Sequence, residues 1–239
     1  MKTLLTGSSR GIGKAISELL LVNGFTVIGT SRKTINNYTN NQYTHIACDL
    51  SKPEEVEQLK EVFNAEQIPE VLINNAGIFE DADFSISDEE WLENWDRTMQ
   101  VNLRSVGLLC KWAVNAWKER GIEGRIINIS SRAGQRGDTQ EYASYAASKG
   151  GMIALTKSIA RSFGKDGITA YTICPGFVDT DMARDSIEVY GAEYLTQGLF
   201  LDSIAPPEEF ANLVLLLAEG KLKHSTGQTF HMNSGSYLP

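Results

Sequence analysis

Met1-Lys-Thr-Leu-Leu-Thr6-Gly7-Ser-Ser-Arg-Gly11-Ile-Gly13-Lys-Ala-Ile-Ser-Glu-Leu-Leu-Leu-Val22 opens the chain and decides its fold class. Lys2–Thr6 reads as a short strand. Residues 14–22 carry apolar side chains at helical spacing (Ala15, Ile16, Leu19, Leu20) and stop near Gly24. A glycine-rich turn lies between them. Strand, turn and helix in this order make the opening of a dinucleotide-binding unit. Glycines let the backbone approach a pyrophosphate, and the helix N-terminus attracts its charge. The spacing here is Gly-x-x-x-Gly-x-Gly, from Gly7 through Gly11 to Gly13.

Working outward, residues 25–30 form the next strand, which ends in Ser31-Arg32-Lys33. An NAD-binding unit would place an acid there, about 20 residues past the glycines, for the ribose hydroxyls. This chain offers Arg32 instead, with Arg10 in the turn as a second cation. Guanidinium groups suit a 2′-phosphate, so the expected cofactor is NADP(H). Further strands are expected over Tyr43–Ala47, 71–73, Arg125–Ile129, 168–173 and 227–232, alternating with helical stretches. Ser51 is expected to cap a helix begun by Lys-Pro-Glu-Glu, and Ser87 with Glu90 forms a capping box for the helix through Trp91 and Trp95. The alternation implies one α/β domain over residues 1–239, with a doubly wound sheet. Residues 181–203 follow a strand's carboxyl end and are expected to form a substrate lid.

Composition removes several classes. With 239 residues and 42% hydrophobic content the chain can bury one large core. The net charge of −8, without a long basic run, argues against nucleic-acid binding. Cys48, Cys110 and Cys174 are widely spaced and suggest reduced thiols in a cytoplasmic protein. His45, His224 and His231 are scattered, so no metal site is expected. No apolar run is long enough for a membrane span.

A second stretch, Tyr142-Ala-Ser-Tyr145-Ala-Ala-Ser-Lys149, carries the chemistry. On a helix Tyr145 and Lys149 stand one turn apart on one face. A phenol ordinarily ionises near pH ~10, and an adjacent cation favours the phenolate. That pairing suits proton transfer to or from an alcohol or ketone. Tyr142 has Ala146 four residues on and lacks such a partner. Asn102, in mid-helix against its propensity, either faces water or performs a polar task inside.

Taken together, Thr6-Gly-x-x-x-Gly-x-Gly13, Asn74-Asn-Ala-Gly77, Asn102, Ser131, Tyr145-x-x-x-Lys149 and Pro175-Gly176 resemble the classical short-chain dehydrogenase/reductase family over nearly the whole chain. The resemblance implies a Rossmann-like three-layer αβα sandwich around a mostly seven-stranded parallel sheet. It implies catalytic roles for Asn102, Ser131, Tyr145 and Lys149. Tyr145 would be the general acid or base, Ser131 would hydrogen-bond the substrate oxygen, and Lys149 would hold the nicotinamide ribose and lower the tyrosine pKa. Asn102 would hold a water linking Lys149 to solvent. The cofactor would be bounded by Gly7, Ser9, Arg10, Gly11, Ile12 and Gly13 around the pyrophosphate, with Arg10 and Arg32 on the 2′-phosphate. Asp49 and Leu50 would flank adenine, and Asn75, Ala76 and Gly77 the adjoining ribose. Pro175, Gly176, Val178 and Thr180 would meet the nicotinamide. Ser130 and Ser131 face opposite ways on a strand end, and family spacing favours Ser131.

The resemblance extends to the 3-oxoacyl-[acyl-carrier-protein] reductase branch. Where that branch carries carrier-docking arginines, this chain has Ile122 and Asp166, and Lys118 and Arg120 lie nearby. A net charge of −8 repels an acidic carrier, so the expected partner is a small free carbonyl or alcohol. A catalytically silent NADP(H)-sensing protein is the alternative from another class. The family habit implies a homotetramer or homodimer built partly from the helices of Asn102 and Tyr145.

Overall fold

The structure, a computed structural model, describes residues 1–33, 41–180, 196 and 198–239. Seven parallel strands form one sheet in the order β3-β2-β1-β4-β5-β6-β7. They are β1 (Lys2–Thr6), β2 (Thr26–Ser31), β3 (Tyr43–Ala47), β4 (Val71–Asn74), β5 (Arg125–Ile129), β6 (Thr169–Pro175) and β7 (Thr229–Met232). The register pairs Leu4 of β1 with Ile28 of β2 on one side and with Leu72 of β4 on the other. The chain winds outward in both directions from β1, so a crevice opens at the carboxyl ends of β1 and β4.

Alternation along the strands splits the core in two. Leu4, Leu72 and Ile126 face one layer, with Leu109, Trp117, Met152 and Ile159 from α5 (Ser105–Arg120) and α7 (Ala143–Phe163). Leu5, Ile73 and Ile127 face the other, with Ile16 and Leu20 of α1 (Gly11–Val22) and Phe210, Val214 and Leu217 of the C-terminal helix Pro207–Ala218. Two helical layers cover a parallel sheet that is apolar on both faces, which is the expected sandwich.

The Ser87 cap is realised: its Oγ accepts the Glu90 N–H at 3.2 Å, opening α4 (Asp88–Met99). Ser51 is not a cap. Its hydroxyl donates to Asp49 Oδ1 at 2.8 Å, and Lys52 takes the N-cap position of α2 (Pro53–Gln58) without a side-chain bond. The helix around Asn102 also differs from the expectation. Residues Gln100–Arg104 form a π-helical turn joining α4 to α5. The expected lid over 181–203 lies largely outside the described residues.

Candidate active site and cofactor crevice

The glycine-rich turn is shaped by close approach. Gly7 has φ +70°, and a Cβ there would meet Ala76 Cα at 2.9 Å. A Cβ on Gly13 would stand 2.0 Å from Gly7 O and 2.5 Å from Asn75 Nδ2. Asn75 stitches the crevice shut at its base by donating to Thr6 O at 3.1 Å and Gly7 O at 3.0 Å. Thr6 Oγ1 accepts both the Asn75 and Ala76 N–H groups at 3.1 Å. Thr6 therefore organises the turn from beneath.

Arg10 and Arg32 are both exposed at the crevice rim. Arg10 lines a cavity of about 370 Å³ with Ser9, Gly11, Lys14 and Thr180. Burial pushes the Asp49 carboxyl up, but two Ser51 hydrogen bonds and the charges of Arg32 and Lys52 bring it below the ordinary value. Arg32 thus faces the strand end that carries Asp49. The Leu50 side chain is buried in the core, so only its backbone is available to a ligand; Leu50 O accepts Gln100 Nε2 at 3.1 Å. The Ile12 side chain likewise packs on the core. Val178 is buried and bridges Ala205.

The catalytic candidates meet where β4, β5 and α7 converge. Asn74 Nδ2 donates to Asn128 Oδ1, and Asn128 Nδ2 donates to Thr156 Oγ1, both at 2.8 Å. This buried ladder fixes α7 against the strand ends. Ser130 Oγ donates to Lys149 O at 2.8 Å, away from the crevice, whereas the Ser131 hydroxyl stands beside the Tyr145 phenol and acts to lower its proton affinity. The sequence left two serines, and the geometry brings Ser131 to the tyrosine. Lys149 Nζ donates to Ile129 O at 3.0 Å and lies 5.7 Å from the Tyr145 ring centroid.

Asn102 is fully buried. Its Oδ1 accepts the Ile78 N–H at 2.9 Å, while Nδ2 donates to Ile78 O at 2.9 Å and to Ser148 Oγ at 3.2 Å. The polar task anticipated for it is a clamp on the loop after β4. A Cβ on Gly77 would meet Lys149 Nζ at 3.2 Å and Asn102 Oδ1 at 3.4 Å, so both groups border one small space.

The proton affinities reverse one expectation. Burial pushes the Tyr145 phenol up to about 12, opposed by the Ser131 hydrogen bond. Burial pushes the Lys149 ammonium down to about 8. The spacing predicts a phenol lowered by the lysine; desolvation, which penalises both charges, prevails instead. Cys174, which the sequence motifs did not single out, lies under the same strand end. Burial pushes its thiol up to about 11, opposed by the neighbouring Ser130 hydroxyl and Ser131 N–H. Among the described residues no group of three or more His, Cys, Asp or Glu could hold a metal, and no helix is long and apolar enough to cross a membrane.

Residues 2–190 match the short chain dehydrogenase family. The chain belongs to the short-chain dehydrogenase/reductase family. It is 36% identical to the 3-oxoacyl-[acyl-carrier-protein] reductase FabG of Vibrio cholerae, over 98% of this chain and 96% of that protein. It is also 36% identical to the Escherichia coli FabG with the same coverage. Among solved structures it resembles 4-hydroxyisoleucine dehydrogenase complexed with NADH, with a TM-score of 0.89, 28% identity and 98% of each chain covered. It also resembles a protein assigned as an NAD(P) dependent gluconate 5-dehydrogenase from Beutenbergia cavernae with bound NADP (TM-score 0.89, 25% identity, covering 98% of this chain and 96% of that one). As a short-chain dehydrogenase/reductase the protein is an oxidoreductase with a nicotinamide cofactor. The residues present fit that group: the Gly7 to Gly13 cradle admits no extra Cβ, and exposed guanidinium groups stand at its rim.

Proposed function

We propose that the enzyme is NADP(H)-dependent and interconverts a secondary alcohol and a ketone of a small, free substrate. The observation that carries this reading is the meeting of the Ser131 hydroxyl and the Tyr145 phenol beside buried Lys149, at the carboxyl end of the sheet. When bound, the nicotinamide supplies or accepts the hydride. Gly7, Ser9, Arg10, Gly11, Ile12 and Gly13 would hold the pyrophosphate, with Arg10 and Arg32 on the 2′-phosphate. Asp49 and the Leu50 backbone would border adenine, Asn75 to Gly77 the ribose, and Pro175, Gly176, Val178 and Thr180 the nicotinamide.

Tyr145 gives its phenolic proton to the carbonyl oxygen in reduction and takes it back in oxidation. Ser131 donates to the same oxygen as negative charge develops there, where a preorganised donor acts most strongly. Lys149 orients the ribose and offers a positive charge once it is protonated. Both side-chain N–H groups of Asn102 are committed, so a relay water would be held by its remaining acceptors, Oδ1 and the backbone carbonyl. A π turn is a common place for a helix to release a carbonyl to function.

The curated relatives support a second reading, reduction of a 3-oxoacyl group on a carrier protein. Against it, the nearby cations are engaged: Lys118 pairs with Asp166 at 3.3 Å, and Arg120 donates to Ala65 O at 2.7 Å. All four catalytic side chains are present, which opposes a silent sensor. A cytoplasmic homotetramer or homodimer accords with family habit. The experiment is fluorescence titration of the protein and of Arg32→Ala with NADPH and NADH. The parent should prefer NADPH, and the variant should lose about tenfold in NADPH affinity alone, the worth of one or two charge-assisted hydrogen bonds. Equal NADPH and NADH affinities in the parent would overturn the cofactor assignment.

A further inference from the structure

Phe79 lies outside every motif, yet it is the side chain most closely engaged with the ring of Tyr145 among the described aromatic contacts. Its ring stacks on Tyr142 with centroids 3.9 Å apart and planes at 16°. It meets Tyr145 at 4.8 Å with planes at 90°. An edge-to-face pair at this separation is attractive beyond its burial and favours one ring orientation.

The backbone around Phe79 is held from both sides. Asn102 clamps Ile78 by its N–H and its carbonyl, each at 2.9 Å. Beyond Phe79, the Ala82 N–H donates to Glu141 O at 2.8 Å, and Gln140 Nε2 donates to Asp83 Oδ2 at 3.1 Å. The loop after β4 and the turn before α7 are thereby joined on either side of the aromatic stack. Such bracing is what keeps a first contact within a productive geometry.

We propose that Phe79, braced by Tyr142, is a positioning residue for Tyr145: it fixes the phenol ring beside Ser131 and Lys149 and keeps water from its oxygen. Tyr142 then has a role although it cannot be the acid or base: it backs the ring that holds the true one. The inference rests on reading Tyr145 as the proton-transfer group. The raised phenol pKa agrees with a surrounding that removes part of the water from this half-buried side chain.

The test is tyrosinate absorbance against pH, which needs no substrate. Parent, Phe79→Ala and Phe79→Leu are each titrated alongside the same protein carrying Tyr145→Phe, and each difference isolates Tyr145. Circular dichroism confirms that the compared proteins are folded, and Phe79→Leu, which keeps bulk but loses the ring, serves if Phe79→Ala does not fold. The Tyr145 titration should move down by about one pH unit or more in Phe79→Ala, a tenfold gain in tyrosinate at fixed pH, and by less in Phe79→Leu. Titrations coincident with the parent in the folded variants would overturn the inference. Normal turnover in Tyr145→Phe would instead sink the proton-transfer reading and leave the positioning result standing.

Discussion

Removing the Asn102 side chain is the perturbation whose size the structure defines best. Asn102→Ala deletes three hydrogen bonds, two to the Ile78 backbone and one to Ser148 Oγ, at 2.9 to 3.2 Å. Each is worth about 1 kcal/mol net, and partners left without water cost more. The sum is a loss of about 3–4 kcal/mol, a large share of the roughly 5–15 kcal/mol that holds a typical domain. Urea unfolding should show a lower midpoint at unchanged slope, because the exposed surface on unfolding is the same. Amide exchange at Ile78 should accelerate in parallel, since its acceptor is gone. Turnover should also fall, because the loop that carries Phe79 loses its anchor. A stability loss below about 1 kcal/mol with Ile78 exchange unchanged would refute the clamp.

Other perturbations follow the same reasoning. Gly13→Ala should weaken NADPH binding more than about tenfold and cost about 1–3 kcal/mol or more, because its Cβ would lie 2.0 Å from Gly7 O. Gly24→Ala is the control, with φ +79° but no atom within 4 Å of the added Cβ; it should cost about 1 kcal/mol and leave binding intact. Calorimetry and fluorescence titration check both. Lys149, pushed down to about 8, holds its proton less well in the folded state than in the unfolded chain. Stability should therefore rise with pH from about 8 toward 10.5 on its account, and Lys149→Met should lose that increment. Equal slopes in urea unfolding across this range would contradict the shift.

Much of this architecture is legible in the chain. Successive residues such as Leu4 and Leu5 are both apolar because a parallel strand buried on two faces needs both, and they do face opposite layers. The spacing of Tyr145 and Lys149 survives as a real helical pair because it depends only on local geometry. What escaped depends on competition or on long range. Ser51 has a capping residue's chemistry, but Asp49 takes its hydroxyl. The π turn at Asn102 is invisible to helix propensity, since its stabilising partners, Ile78 and Ser148, lie on other elements. Phe79, on the loop after β4, meets Tyr142 and Tyr145 at the start of α7, far along the chain, and nothing local marks it. The sign of the Tyr145 shift was hidden because a spacing reports the neighbouring charge and not the loss of water that raises the phenol to about 12.

The most direct test compares the enzyme with Tyr145→Phe in NADPH oxidation over a panel of small ketones, with NADPH affinity measured on both proteins. The phenylalanine variant keeps the ring against Phe79 and removes only the hydroxyl. Turnover should fall by about 10² to 10⁴, the usual worth of a positioned acid, while NADPH affinity stays the same. A Tyr145→Phe enzyme that reduces its ketone at the parent rate would contradict the account.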